Sequence, residues 1–158
     1  MTSTGSTAQS AAQDPAVAID RMRGASMGAL SMLILQFALG VAVNLYVTPR
    51  KGGVSEAFTN GALLVLHTLL GLLLIIAAIG ALALAVRLRH RLAIATSALG
   101  LVAILIAAGS GAGYLSSHDN GSSLGMALAT AVAMLSYAIA LRAVLPPQPV
   151  ISSERPPG

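Results

Sequence analysis

The sequence has no cysteine, no tryptophan and very few charged residues. Without cysteine, disulfide bonds, thiolate metal sites and cysteine nucleophiles are all excluded. Charged side chains make up 9% of the chain, whereas a soluble domain carries about 25%. Because so few charges cannot cover a globule of 158 residues in water, we expect lipid to be the solvent for most of the surface.

Signatures of catalysis and of nucleic-acid binding are also missing. The sequence contains no G-x-x-x-x-G-K-[ST] phosphate-binding loop and no H-E-x-x-H metal motif. All five acidic residues lie outside the apolar runs, whereas a proton-coupled pump normally needs a carboxylate within the membrane. The nine basic residues lie beside apolar runs and form no separate patch with aromatic residues. We therefore predict no catalytic residue, no metal site and no nucleic-acid partner.

Four long apolar runs are present instead. They cover residues 27–47, 61–86, 92–109 and 122–145, and a helix that spans a membrane needs roughly 20 apolar residues. Because the loops between the runs are short, the sequence predicts an all-α membrane protein, an up-down antiparallel bundle of four transmembrane helices.

Two tails flank the predicted transmembrane domain of residues 26–145. Residues 1–25 are rich in Ser, Thr, Ala and Gln without apolar periodicity, which predicts a disordered tail. Residues 146–158 are rich in proline and are also not expected to pack.

The arginines predict the orientation, because basic residues favour the cytoplasmic side. Two basic residues, Arg50 and Lys51, lie in the first predicted loop, and seven arginines lie on the other side of the predicted bundle. Both termini are therefore predicted to be cytoplasmic, in a multi-pass protein of a plasma membrane. The seven are Arg21, Arg23, Arg87, Arg89, Arg91, Arg142 and Arg155.

Helices three and four each carry a face of small residues, which in lipid marks a contact surface. These faces are predicted either to pack against each other or to bind a protein partner. In helix three the face consists of Ala93, Ser97, Gly100, Ala103, Ala107 and Gly111. In helix four it consists of Ser122, Met126, Ala129, Ala133, Ser136, Ala140 and Ala143.

Three strongly polar residues stand out within the first two apolar runs and form the predicted intramembrane cluster: Gln36, Asn44 and His67. Polar side chains are costly in a membrane, so they are expected to face the bundle interior. At 1.5 Å per residue, Asn44 and His67 lie roughly 5 and 9 Å below the outer surface, which predicts that they contact each other. A glycine lies four residues from each of Gln36 and His67, at Gly40 and Gly71.

The predicted outer loop between helices three and four adds a second polar group, Tyr114, His118, Asp119 and Asn120. Asp119 or Asn120 is expected to cap helix four. His90, among arginines on the inner side, is interpreted as an interfacial residue.

His67 has two interpretations. In the first, its only role is to form a hydrogen bond with a neighbouring helix. In the second, it binds a cofactor, because small four-helix bundles can hold haem through histidine. Bis-histidine ligation would need a second histidine opposite His67, and His118, in a loop, is the only other one on the outer side.

Short motifs give the chain a family resemblance. His67, Leu70 and Gly71 form H-x-x-L-G in helix two, and residues 111–115 read G-A-x-[FY]-L with Tyr114 at the aromatic position. Residues 122–126 read S-S-L-x-M. These motifs resemble those of uncharacterised small four-helix integral membrane proteins of actinobacteria. In that pattern Ser110 stands in place of an asparagine and Gly113 in place of a serine. The resemblance implies a bacterial plasma-membrane protein and implies no chemistry.

Three functional hypotheses follow. The leading one is a non-catalytic accessory or interaction subunit of a bacterial envelope or respiratory membrane complex, because small-residue faces are combined with short loops. The second is a small haem- or quinone-binding electron carrier that uses His67. The third is a passive small-molecule binder or channel lined by Gln36, Asn44 and His67.

Overall fold

The computed structural model describes residues 15–47, 55, 58, 61–117 and 119–143. They form four helices: α1 (Pro15–Tyr46), α2 (Ala62–Leu88), α3 (Arg91–Ser117) and α4 (Asn120–Ala143). Each helix is long and apolar enough to cross a membrane, and no strand occurs among the residues described. The predicted all-α fold of four membrane-spanning helices is confirmed.

The first helix begins much earlier than the sequence analysis predicted. It starts at Pro15, so residues 15–25 of the predicted disordered tail are helical. Proline is well suited to a first helical position because its missing N–H would have no intrahelical partner there. Met22 is fully buried against the other three helices, which explains why the helix extends below its most apolar part. The remainder of that tail, residues 1–14, lies outside the part of the chain described.

The third helix is also longer than predicted, because it continues from residue 109 to Ser117. Tyr114 therefore lies within α3 and not in a loop. Close packing against α4 accompanies this glycine-rich turn of helix: a Cβ atom added at Gly113 would lie 3.4 Å from the Ser122 hydroxyl oxygen, and one added at Gly125 would lie 3.2 Å from that of Ser110. His118 and residues 144–158 are outside the described residues.

The helices form a closed ring in which each contacts its neighbours in sequence and α1 contacts α4. Met22 of α1 packs with Ala85 of α2, Ala93 of α3 and Ala140 of α4, which places the start of α1 beside the end of α2. Neighbouring helices are therefore antiparallel, as predicted. Six arginines lie near the level of Met22, and we call it the arginine-rich end and the opposite one the far end. They are Arg21, Arg23, Arg87, Arg89, Arg91 and Arg142.

The small-residue faces of α3 and α4 pack inside the bundle. Ser97, Gly100 and Ala103 of α3 are buried, as are Ala133 and Ser136 of α4. Larger aliphatic side chains point outward, such as Leu99 and Leu135 at 53% and 63% exposed. The prediction that these faces bind a protein partner is corrected, because they contact each other.

A tight turn joins α2 to α3. Arg89 takes a left-handed backbone conformation (φ 53°), and its N–H donates to the carbonyl oxygen of Val86. The Nδ1 atom of His90 accepts the backbone N–H of Ala93 at 3.3 Å, so this exposed histidine caps the start of α3. Arginines on both sides of the turn keep it at the membrane surface.

The side of the membrane that each end faces stays a prediction from the arginines. Reporter fusions at Gly158 and in the Arg87–Arg91 turn should be cytoplasmic, and a fusion at Gly53 should be external. Replacing Arg87, Arg89 and Arg91 together should loosen the orientation, because the bias falls from seven against two to four against two. A cytoplasmic fusion at Gly53 would contradict the topology.

Candidate functional site

The polar residues of the first two helices meet in one hydrogen-bonded pair. The Gln36 amide nitrogen on α1 donates to the backbone carbonyl oxygen of His67 on α2, at 3.0 Å. The same nitrogen lies 3.3 Å from Nε2 of the His67 ring. Gln36 therefore ties α1 to α2 through both the backbone and the side chain of His67.

These contacts determine the proton position on the imidazole. Because a carbonyl oxygen only accepts, the atom of Gln36 that faces it must be the NH2 group and not the amide oxygen. The second N–H of that group then points to His67 Nε2, which must accept. A neutral His67 with its proton on Nδ1 satisfies the pair. The lone pair on its Nε2 atom, which an iron atom would need, is then directed at the amide of Gln36.

Two glycines let the helices approach closely enough for this pair. A Cβ atom at Gly40 on α1 would lie 3.2 Å from Cε1 of His67, and one at Gly71 on α2 would lie 3.0 Å from Nε2 of Gln36. Each polar side chain therefore lies over a glycine of the opposite helix. Close backbone approach at small residues is how helices associate in lipid.

The predicted contact between Asn44 and His67 is wrong. Asn44 is exposed, and it lies two turns beyond Gln36, about 12 Å along α1. Because α2 runs antiparallel and Leu64 packs with Val43, Asn44 is level with the first residues of α2 and not with His67. Of the predicted cluster, the structure joins Gln36 to His67 and leaves Asn44 apart.

Two atoms of the pair remain unused. The Oε1 atom of Gln36 and the Nδ1 atom of His67 are buried and have no hydrogen-bond partner among the residues described. One acceptor and one donor suit a single small polar molecule, but they supply no acid, base or nucleophile.

No group of three or more potential metal ligands occurs in the described part of the chain. His90 lies at the arginine-rich end, about 35 Å along the chain of α2 from His67, so it does not lie opposite that ring. His118, the one residue predicted as a candidate for a second axial ligand, lies outside the described residues.

Two residues of the second predicted polar group, Asp119 and Asn120, lie at the start of α4. The Oδ2 atom of Asp119 accepts the backbone N–H of Ser122 at 3.1 Å, which confirms Asp119 as the cap of this helix. Asn120 is the first residue of α4, and both residues are exposed. Tyr114 is half-buried one turn below the end of α3.

Two segments match the letters G-x-S-x-G of the hydrolase nucleophile elbow. They are residues 24–28, within α1, and residues 121–125, in the first turns of α4. A nucleophile elbow requires a sharp turn from a strand into a helix, so neither serine has the geometry of a nucleophile.

An outward-facing groove between α3 and α4 has a volume of about 260 Å³. Its lining is entirely apolar and offers no side chain that could act in catalysis or bind a polar ligand. The lining residues are Leu99, Val102, Ala103, Ile106, Gly125, Leu128, Ala129 and Val132.

A set of buried hydroxyl groups was missed by the sequence analysis. Ser26, Ser97 and Tyr137 are fully buried, although Ser26 lay at the edge of the predicted tail and Tyr137 beside the small-residue face of helix four. A signal was available, since Met22, Ser26 and Ala29 continue the helical spacing of the buried face of α1.

Comparison with known proteins adds no relative. No family model matches the sequence, no curated protein is significantly similar to it, and no solved structure matches its fold.

We expect replacement of Gln36 by leucine to lower the stability of the bundle, because both bonds to His67 are lost. His67→Leu should cost about 0.6 to 2 kcal/mol, the range for hydrogen bonds between helices in lipid. His67→Gln should be tolerated, because its amide oxygen can accept from Gln36. Thermal unfolding in mild detergent measures these effects.

Asn44→Leu is the matched control, because Asn44 is exposed on the same helix. It should leave the unfolding temperature unchanged. If Asn44→Leu destabilises the protein more than Gln36→Leu does, the Gln36–His67 pair is not the polar link between α1 and α2.

Proposed function

We propose that the chain is a non-catalytic integral membrane protein, an accessory or interaction subunit of a bacterial envelope or respiratory membrane complex. The observation that carries the proposal concerns the polar side chains within the membrane-spanning helices. Gln36 and His67, the two best candidates for chemistry, are bonded to each other across α1 and α2. Their arrangement supports a structural role in holding the bundle together.

The surface left for a partner is the outward one. The small faces of α3 and α4 are used between these helices, so a partner would contact the large aliphatic side chains that point away from the bundle. Lipid competes for the same surface, so association would depend on shape and on close packing. The resemblance to actinobacterial four-helix proteins and the location in a bacterial plasma membrane belong to the same proposal.

Purification from native membranes in mild detergent tests the proposal. We expect the chain to retain one or more membrane proteins in a stable ratio, identified by mass spectrometry, with no haem absorbance. A Soret band that disappears in both His67→Leu and His67→Gln would overturn the proposal in favour of the electron carrier, since neither side chain replaces an imidazole at iron. Purified protein with no haem absorbance and no stably bound membrane protein would also overturn the proposal.

Single-cysteine variants can map the contact surface, because the chain has no cysteine of its own. Leu128→Cys on α4 and Ile76→Cys on α2 place one thiol each on outward positions that are 59% and 66% exposed. A subunit bound on one side should protect or cross-link one position and not the other. Equal labelling of all outward positions in native membranes would contradict a bound partner.

A further inference from the structure

Two arginines lie at the arginine-rich end of the α3–α4 pair. Arg91 is two residues from Ala93 on α3, and Arg142 is two residues from Ala140 on α4. Because Ala93 and Ala140 pack in one cluster, the two arginines lie on neighbouring helices within about one helical turn of the same level. Both side chains are exposed, and neither has an ion-pair partner among the described residues. The axes of packed helices are about 8–10 Å apart, a distance that two long side chains can close around one small anion.

The same side of the α3–α4 pair carries the apolar groove. Along α3, Arg91 and Val102 are about three helical turns apart, so they lie nearly in line on the helix surface. Along α4, Arg142 and Leu128 are about four turns apart and are also nearly in line. Val102 and Leu128 are exposed, and both line the groove. We call this outward surface, from the two arginines to the groove, the α3–α4 seam.

The depth of the groove matches that of a lipid chain. A bilayer has a hydrocarbon core of about 30 Å, which is about 15 Å for each leaflet, below a headgroup layer of roughly 5–8 Å. On α3 the groove extends from Leu99 to Ile106, which lie about 12 and 22 Å along the helix from Arg91. With Arg91 among the headgroups, the groove covers the deeper half of one leaflet. Ala95 and Ala98 lie between Arg91 and the groove on the same side of the helix, and their small side chains leave space along the seam.

The charge at this end favours an anionic ligand. Six of the described residues near the level of Met22 are arginines, and Asp20 is the one acidic residue described there. Asp20 pairs with Arg23 at 3.6 Å, which leaves the other arginines without a counter-charge in the described part of the chain. A guanidinium group can bind a phosphate group through two parallel hydrogen bonds. A phospholipid with a net negative charge therefore complements the seam better than one whose headgroup is neutral overall.

We propose that the α3–α4 seam binds one anionic phospholipid, with its phosphate group on Arg91 and Arg142 and one acyl chain in the groove. A free phosphate ion would pair with the arginines but would leave the groove to bulk lipid. A transmembrane helix of a partner would fill the groove but would leave the charges beyond it unpaired. An anionic lipid does both. The site goes beyond the accessory role proposed above and does not depend on it, since the outward faces of α1 and α2 stay open to a protein partner.

Native mass spectrometry of the purified protein in mild detergent tests the headgroup contact. With added lipid, we expect one bound phosphatidylglycerol and weaker binding of phosphatidylcholine with the same acyl chains. Arg91→Gln combined with Arg142→Gln should raise the dissociation constant for phosphatidylglycerol about 25-fold, which is about fivefold for each arginine near an anionic headgroup. Binding of phosphatidylcholine should stay nearly unchanged. Equal binding of the two lipids to the unaltered protein would overturn the proposal.

Arg21→Gln combined with Arg87→Gln is the matched control, because it removes two exposed arginines of the same end from α1 and α2. The net charge falls by the same amount, but the seam keeps both of its arginines. The affinity for phosphatidylglycerol should fall less than about fivefold. A loss as large as that of the seam variant would mean that this end attracts anionic lipid through its total charge, and would rule out a site on the seam.

Val102→Phe tests the acyl chain, because Val102 is 51% exposed and the larger ring would fill the groove from outside without entering the core. We expect several-fold weaker binding of phosphatidylglycerol and an unfolding temperature close to that of the unaltered protein. Ile76→Phe, at a 66% exposed position on α2, is the control and should bind the lipid as before. Full displacement of the lipid by inorganic phosphate would reduce the site to its two charges, and a lipid-free dimer would mean that a second copy fills the groove. Either result, like unchanged binding in Val102→Phe, would overturn the lipid site.

Discussion

Ala133→Leu should disrupt the bundle more than any other single replacement on α4. Ala133 has no exposed surface and lies in a cluster with Tyr137, Ala103 and Ile104. Leucine adds three carbon atoms at a point where residues of all four helices pack together. Overfilling a packed core costs about 1 to 3 kcal/mol, and the cost rises where the backbone cannot move apart. The unfolding temperature in detergent measures the loss.

Leu135→Ala provides the control, because Leu135 is two residues away on the outward side of the same helix and is 63% exposed. Its removal opens no cavity in the bundle, so stability should change little. Retention of co-purifying proteins gives a second reading: loss of partners in Leu135→Ala with unchanged stability would locate an interface on the outward face. If both variants behave alike in both measurements, the buried face of α4 is not the packing surface.

Apolar length was sufficient to predict the four helices. The spacing of small residues identified contact faces on α3 and α4, but it did not decide whether these faces meet each other or a partner. The ends of the helices were harder to predict. Residues 15–25 have a composition typical of a tail, but Met22 and Ser26 continue the buried face of α1, and the packing of Met22 against three other helices stabilises it. Such contacts depend on residues far away in the sequence, so composition within a short window does not reveal them.

The sequence predicted two residues of the site, Gln36 and His67, but it did not predict that they contact each other. Gln36 and His67 were identified because polar side chains in lipid need partners. The choice between Gln36 and Asn44 as the partner of His67 depends on the register of α1 against α2. In the structure, Gly40 lies against His67 and Gly71 lies against Gln36. These contacts exist only once the two helices have packed together, so neither helix alone reveals the register. Depth counted from the ends of apolar runs has an error of a turn or more, enough to exchange one amide for the other.

The central position of Tyr137 could not be derived from the sequence, because a lone tyrosine near the end of a transmembrane helix is more typical of the membrane interface. What places it inside is the set of small residues that surrounds it, on three other helices. The sequence shows each of these small residues but not that they converge.

Gly100→Ala should therefore destabilise the protein, even though alanine is the better helix former. The added Cβ atom would lie 2.7 Å from Cε2 of Tyr137 and 3.1 Å from Cζ. Because the ring is fully buried, it has no open space into which to move, and either the ring or the α3–α4 contact must shift. We expect a loss of about 1 to 3 kcal/mol in the free energy of unfolding.

The matched control for this change is Gly109→Ala, in the same helix, where an added Cβ atom meets nothing within 4 Å. There the substitution should be neutral or stabilising, since glycine within a helix is less favourable than alanine by roughly 0.5 to 1 kcal/mol. Tyr137→Leu combined with Gly100→Ala should cost less than the sum of the two single changes, because leucine lacks the ring carbons that the new methyl group meets. Tyr137→Phe should give no such relief, because the contact is with the ring and not with the hydroxyl. If the losses of stability in the Tyr137→Leu, Gly100→Ala double variant are additive, the Tyr137 ring does not pack on Gly100.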